Sequence, residues 1–268
     1  MDKDRIIPVL QIGNLLAVLF TIIVNGLANT LPINGKLTGD ISDAIPNLFV
    51  PSGITFAVWG VIYVLLILFG IYQIKSLFSK EKEDFSYIKK INVFFITASI
   101  GNIIWIFLWH YEQIALSILP MILLFLSLLA IYIRLDIGKS DVSLKQKIFV
   151  HIPFSVYIGW ITVATIANVT GVLVDLGWDG FGISEQIWTL LILIVATLIT
   201  IIVIVTRKDI AYSLVIIWAL LGIYIKRINP DPIYGIQTQI AYMAVISIIV
   251  IIIALIAVNL PIYLKKGG

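Results

Sequence analysis

The stretch QIWTLLILIVATLITIIVIVT, at residues 186–206, decides the fold class of this chain. Its 21 residues include no Asp, Glu, Lys or Arg. An α-helix of about 20 residues is roughly 30 Å long, which matches the hydrocarbon core of a bilayer. Helix is the expected form, because lipid provides no hydrogen-bond partners for an isolated strand. The stretch is therefore typical of a transmembrane helix.

The rest of the chain repeats this pattern. Hydrophobic residues make up 60% of the 268 positions and charged residues only 12%, whereas soluble domains carry about 25% charged residues. Runs long enough to cross the bilayer are predicted at Ile6–Ala28, Thr55–Ile74, Ile91–Trp109, Ile114–Ile133, Ile148–Val169, Gln186–Thr206, Ile210–Ile225 and Gln237–Tyr263. The predicted fold is all-α, a polytopic membrane helix bundle with about eight transmembrane helices.

Lys and Arg residues gather at alternate ends of these predicted helices. With a cytoplasmic N-terminus, fifteen of the eighteen basic residues fall inside, at Lys3, Arg5, Lys75, Lys80, Lys82, Lys89, Lys90, Arg134, Lys139, Lys145, Lys147, Arg207, Lys208, Lys265 and Lys266. The outer segments keep only Lys36, Lys226 and Arg227. Following the positive-inside rule, we expect a multi-pass protein of the cell membrane with both termini in the cytoplasm. The first run exceeds a usual signal-peptide core, so we expect it to be retained.

Composition and motifs argue against several classes of function. The chain has no Cys, and its two His, His110 and His151, are far apart, so no metal site is expected. No charged residue lies in the middle of a predicted span, which disfavours ion-coupled transport. Neither a phosphate-binding glycine loop nor a Ser-His-Asp set is apparent, so we expect no enzyme and no required cofactor. Nucleic-acid binding has no support from the charge pattern.

Aromatic and polar residues recur at helical spacing in the second, third and fifth spans. Residues three, four, seven or eight apart share one helix face, and the topology brings these faces to the outer half of the membrane. The predicted ligand-binding residues are Phe56, Trp59, Tyr63, Asn102, Trp105, Tyr157, Trp160, Ala164 and Asn168. Helix packing is the alternative for all of them, and Asn102 could instead bridge two helices. The residues 29–53 are predicted to form a structured loop or lid.

Other aromatic and titratable side chains are expected at the membrane surface. Trp109, Trp178 and Trp188 lie near the predicted outer ends, where Trp gathers in interfacial belts and loops. We expect His110 and His151, at helix ends, to contact headgroups or water.

Three motifs resemble the TspO/MBR family of translocator proteins, also called tryptophan-rich sensory proteins. Pro51-Ser-Gly-Ile-Thr-Phe-Ala-Val-Trp59-Gly-Val-Ile-Tyr63 is similar to the family's second-helix pattern, with Trp eight residues after Pro and Tyr four residues later. Asn102-Ile-Ile-Trp105 looks like its third-helix Asn-x-x-Trp. Tyr157-Ile-Gly-Trp160-Ile-Thr-Val-Ala164-Thr-Ile-Ala-Asn168 resembles its fifth-helix pattern. The motifs occur in the family's order.

The resemblance covers residues 6–170 and implies a five-helix bundle around a pocket for flat hydrophobic ligands, such as a porphyrin, haem or a sterol. It also implies that the loop after the first helix closes the pocket, and that the protein can form a homodimer. The three helices from Gln186 onward have no counterpart in the short family members. We therefore predict a TspO-like five-helix membrane domain at residues 1–170 and a three-helix C-terminal membrane extension at residues 171–268.

Three functions follow from this sequence. The first is a membrane sensor or carrier for a tetrapyrrole or similar flat ligand. The second is a permease for another small solute, in which the last three helices complete a transport path. The third is a ligand-free regulatory or scaffolding subunit, in which the aromatic stripes only pack.

Overall fold

The computed structural model of the protein describes residues 6–31, 33–78 and 85–266. Within these ranges the chain is helical and contains no strand. The eight long helices are α1 (Ile6–Thr30), α2 (Val58–Phe78), α3 (Phe94–His110), α4 (Ile114–Arg134), α5 (Ile152–Asp175), α6 (Glu185–Arg207), α7 (Ile210–Ile228) and α8 (Thr238–Lys266). Seven are long and apolar enough to span a membrane, and α3 is a shorter apolar helix. The predicted polytopic membrane helix bundle is confirmed.

Backbone irregularities mark the starts of two predicted spans, and the third span begins later than expected. Asn92, with φ 52° and ψ −139°, ends the short helix Ser86–Ile91, and α3 starts only at Phe94. The fifth span opens with a π-helical turn, Lys147–His151, before the regular α5. Such local backbone changes are not visible in hydrophobic periodicity, which reports only how long an apolar run continues.

Small residues bring neighbouring helices into close contact. A methyl group on Gly101 of α3 would lie 3.0 Å from the Pro120 carbonyl oxygen of α4. A methyl group on Gly159 of α5 would lie 3.2 Å from the Tyr212 carbonyl oxygen of α7. Close backbone approach of this kind strengthens dispersion contacts in a bilayer, where the hydrophobic effect does not drive helices together. The C-terminal helices are thus joined to the first five: α7 packs on α5, and α8 packs on α6 and α7.

Buried amides connect the first three long helices. Asn14 of α1 donates to the Gln73 side-chain oxygen of α2 at 3.1 Å, and Gln73 donates to the Gln11 carbonyl oxygen at 3.3 Å. Further along α1, Asn25 donates to the Asn102 side-chain oxygen of α3 at 2.6 Å. Asn102 therefore makes the interhelical bridge that the sequence allowed for it.

The bundle has two chemically different ends. One end, called the basic end, carries Lys75, Lys89, Lys90, Arg134, Lys139, Lys145, Lys147, Arg207 and Lys208 in the described ranges. The opposite end, called the lid end, carries the segment 33–52 between α1 and α2. Basic residues at alternate helix ends along the chain come together at one end of the bundle when the eight long helices run up and down. Lys3, Arg5, Lys80 and Lys82, which also entered that prediction, lie outside the described residues.

Candidate ligand-binding site

A small cavity lies at the lid end, between α2, α3, α4 and α5. Its volume is about 50 Å³. Seven of the nine predicted ligand-binding residues line it, namely Phe56, Trp59, Asn102, Trp105, Trp160, Ala164 and Asn168. We call this cavity the aromatic pocket. The three stripes recognised in the sequence therefore do converge, although their role in binding stays a prediction.

Tyr63 and Tyr157 are not among the residues that line the aromatic pocket. Tyr63 stacks on Trp59, with ring centroids 5.7 Å apart, and borders an adjoining cavity with Asn25 and Gly39. Tyr157 is fully buried beside Trp59, at a centroid distance of 6.1 Å. Both tyrosines thus support the Trp59 ring from outside the pocket.

The pocket walls are aromatic rings packed edge to face. Trp160 lies in T-shaped contact with Phe56 at 5.8 Å and with Trp59 at 6.2 Å. Such arrangements are favoured by the quadrupoles of the rings and contribute about 0.5–1.5 kcal/mol per pair beyond buried area. The walls offer both ring faces and ring edges to a flat ligand.

The expectation that Trp109 belongs to an interfacial belt or loop is wrong. It is buried, lines the aromatic pocket and stacks on Trp105 with ring centroids 5.2 Å apart. Its indole N–H donates to the Thr38 carbonyl oxygen at 3.2 Å. The lid covers this end of α3, so nearness to a helix end does not mean exposure. The sequence did contain a signal for its place in the pocket, because helical spacing puts Trp109 on the same helix face as Asn102 and Trp105.

The two histidines are also buried, contrary to the expected contact with headgroups or water. His110 has no exposed surface, and its Nε2 lies 3.4 Å from the Thr38 hydroxyl group of the lid. His151 is 5% exposed, because the π-helical turn that carries it packs against α2. Burial of both side chains depends on segments distant in sequence, which residue position within a span does not reveal.

Four polar atoms of the pocket residues are buried without a hydrogen-bond partner among the described residues. Three are the donor groups Asn102 Nδ2, Trp105 Nε1 and Trp160 Nε1, and the fourth is the acceptor Asn168 Oδ1. The other amide atoms of the two asparagines are held in place: Asn102 accepts from Asn25, and Asn168 donates to the Ser117 hydroxyl group at 2.8 Å. An unsatisfied buried polar group costs about 1–3 kcal/mol, so native proteins rarely keep several in one place without a use for them.

The lid folds over the pocket and is tied to α3 and α5. It contains the helix Thr38–Ala44, and it adds Thr38, Ser42, Ile45, Asn47, Val50 and Pro51 to the pocket lining. Lys36 pairs with Glu112, just after α3, at 2.6 Å. Asn47 donates to the Thr170 hydroxyl group of α5 at 2.6 Å. The described part of the loop predicted at residues 29–53 is thus structured from residue 33 onward, and sequence reasoning missed the residues that it adds to the pocket.

Helix α7 also holds the lid. Lys226 pairs with Asp43 at 2.5 Å, and the buried Arg227 donates to the Asn47 carbonyl oxygen at 3.1 Å. Arg227 lies 3.3 Å from the carboxylate of Asp231, in the loop that follows α7. The C-terminal helices therefore reach the edge of the aromatic pocket through its lid.

The electrostatics of the Asp231 loop favour the ionised acid. Burial acts to raise the pKa of Asp231, but the backbone N–H groups of Ile233 and Tyr234 and the Arg227 guanidinium outweigh it, so the pKa lies below its usual value. Burial and a hydrogen bond to Glu185 raise the pKa of Tyr234. Over the described ranges, no three His, Asp or Glu side chains come together in a way that could hold a metal ion.

Fold and site together define a polytopic α-helical membrane protein with a lidded aromatic pocket. The family model described as TSPO-like protein matches residues 11–257, and the chain belongs to this family. The match runs beyond the five helices that carry the resemblance and into α8, although the division at residue 170 stays a prediction. Comparisons with curated proteins and with solved structures gave no match.

Proposed function

We propose that the protein is a membrane sensor or carrier that binds a flat hydrophobic ligand, such as a porphyrin or a sterol-like molecule, in the aromatic pocket. Membership of the TSPO-like protein family suggests a ligand-binding or sensor protein of the membrane. The four unpartnered polar atoms of Asn102, Trp105, Trp160 and Asn168 carry the proposal. A ligand with apolar faces and a few polar groups at its edge would stack on the rings and satisfy these atoms.

The size of the pocket makes opening of the lid part of this function. Pockets for drug-sized ligands measure roughly 300–1,000 Å³. The aromatic pocket, at about 50 Å³, is too small for such a ligand in this conformation. The lid forms part of the pocket lining, and polar contacts hold it against the helices. These contacts can break and re-form without disturbing the packing of the helices. Ligand entry therefore requires the segment 33–52 to swing away from α3, α5 and α7.

Packing beneath the pocket favours binding over permeation. The Trp59 ring contacts both Tyr157 and Trp160 edge to face, and Tyr157 is 1% exposed. A solute crossing from the lid end to the basic end would have to displace these rings. The proposal therefore assigns the protein ligand binding rather than solute permeation.

Titration of detergent-purified protein with protoporphyrin IX, followed by tryptophan fluorescence corrected for inner-filter effects, tests the proposal. Trp160→Phe keeps a large ring but removes one unpartnered donor, and Asn102→Ala removes another. Each substitution should weaken a saturable binding curve about 2- to 10-fold, since one hydrogen bond contributes about 0.5–1.5 kcal/mol.

Trp188→Phe is the matched control, because the Trp188 indole donates to the Gly180 carbonyl oxygen at 2.9 Å in a loop outside the pocket. It should lower the fluorescence amplitude and leave the affinity unchanged. Linear quenching that none of the three substitutions alters would mean that the porphyrin only partitions into the micelle, and the proposal would be wrong.

A further inference from the structure

A second cavity, of about 850 Å³, opens on the side of the bundle between α2 and α7, with α5 as its floor. We call it the lateral groove. Its lining is separate from that of the aromatic pocket, and neither the sequence motifs nor the proposed function accounts for it.

The wall of the lateral groove is apolar. Val61 and Leu65 of α2 face Leu214 and Trp218 of α7 across it. From Ile210 to Trp218, α7 rises about 12 Å, which is close to the half-thickness of about 15 Å of a bilayer core. An acyl chain of one leaflet would fit this length.

The mouth of the groove at the basic end is polar and positively charged. Lys147 and Lys208 both line it and are exposed, and neither makes an ion pair among the described residues. His151 is 5% exposed, and its Nε2 is buried without a hydrogen-bond partner in the described part of the chain. The mouth thus offers two exposed ammonium groups, beside a buried imidazole.

The single carboxylate in the lining is already occupied. Asp209 accepts hydrogen bonds from the Tyr132 hydroxyl group at 2.8 Å, the Ser155 hydroxyl group at 2.6 Å and the Tyr212 backbone N–H at 3.1 Å. These three donors stabilise its charge within the protein. The two lysines therefore leave the mouth with a net positive charge toward any ligand.

We propose that the lateral groove binds one anionic phospholipid from the leaflet at the basic end. The headgroup phosphate lies at the mouth with Lys147 and Lys208. One acyl chain runs along α7 toward Trp218. The basic residues predict that this leaflet is the cytoplasmic one, where anionic lipids attract such residues.

Native mass spectrometry of the full-length protein, delipidated in neutral detergent, tests this proposal. Phosphatidylglycerol and phosphatidylcholine with identical acyl chains are added separately, and the first bound lipid is counted. We expect one phosphatidylglycerol to bind about tenfold more tightly than phosphatidylcholine. Lys147→Gln combined with Lys208→Gln should abolish this preference. Lys89→Gln, at an exposed position of the basic end outside the groove, should preserve it.

Two further arms separate a lipid from other occupants. Leu214→Trp fills the apolar wall and should weaken binding of both lipids, while the helical circular dichroism spectrum stays unchanged. Millimolar inorganic phosphate should not displace the bound lipid. The proposal is overturned by equal binding of the two lipids, by equal loss in Lys89→Gln, by normal binding to Leu214→Trp, or by displacement with phosphate.

Discussion

Gly222→Ala is expected to separate α7 from the segment that forms the edge of the aromatic pocket. A methyl group on Gly222 would lie 1.9 Å from Thr55 Oγ1 and 2.9 Å from both Thr55 Cβ and Thr55 Cγ2. Rotation of the Thr55 side chain leaves its Cβ 2.9 Å from the new methyl group, so the backbone must move. The two hydrogen bonds nearest the clash would lengthen: Ser52 N–H to the Gly222 carbonyl oxygen at 3.0 Å, and Trp218 Nε1 to the Thr55 carbonyl oxygen at 2.9 Å.

The size of the effect follows from these contacts. Overpacking costs about 1–3 kcal/mol, and each of the two weakened hydrogen bonds costs about 0.5–1 kcal/mol. Replacing Gly by Ala inside a helix returns about 1 kcal/mol. The net destabilisation should therefore be about 1–4 kcal/mol.

Thermal unfolding in detergent micelles, at one fixed scan rate, measures this effect. Gly60→Ala is the matched control in α2, because a methyl group there meets nothing within 4 Å. It should leave the unfolding temperature unchanged or raise it slightly, since Ala is the better helix former. Adding Thr55→Ala to Gly222→Ala removes two of the three overlapping atoms and should restore part of the loss. Equal unfolding temperatures for Gly222→Ala and Gly60→Ala would refute the reasoning.

Two other predictions concern the loops at the ends of the bundle. Gly138→Ala should destabilise the protein by more than about 3 kcal/mol, because Gly138 has a φ of +83° and its methyl group would lie 1.9 Å from the Arg207 carbonyl oxygen. Gly177→Ala is the control, because Gly177 has a φ of +66° but a methyl group there would meet nothing within 4 Å. It should cost only the backbone strain of about 1–2 kcal/mol. Equal losses of unfolding temperature in the two variants would contradict the steric explanation. Asp231→Asn should cost about 1–3 kcal/mol at neutral pH by removing the charged partner of Arg227. Because the pKa of Asp231 is lowered in the folded protein, its contribution to stability is present above the ordinary carboxyl pKa of about 4 and is lost as the pH falls through the lowered pKa. The unfolding temperatures of wild type and Asp231→Asn should therefore converge in acid. A constant difference down to about pH 2 would contradict this prediction.

The sequence by itself determined the transmembrane character and the aromatic part of the pocket lining on α2, α3 and α5. Apolar run length is a local property, so eight spans could be predicted from the chain with errors of a few residues at their ends. Helical spacing is also local, and it grouped Trp59, Trp105 and Trp160 with neighbours on their own helix faces. Seven of the nine predicted residues accordingly line one cavity.

Only the tertiary structure decided what surrounds those faces. The burial of Trp109 and His110 depends on a lid that begins more than 70 residues earlier in the chain. Arg227 reaches the Asn47 carbonyl oxygen across a separation of 180 residues, and Gly222 meets Thr55 in the same interface. Contacts of this range depend on how whole helices pack and how loops close, and no periodicity along one segment encodes them. The lateral groove arises in the same way, because its lining combines residues of α2, α5 and α7.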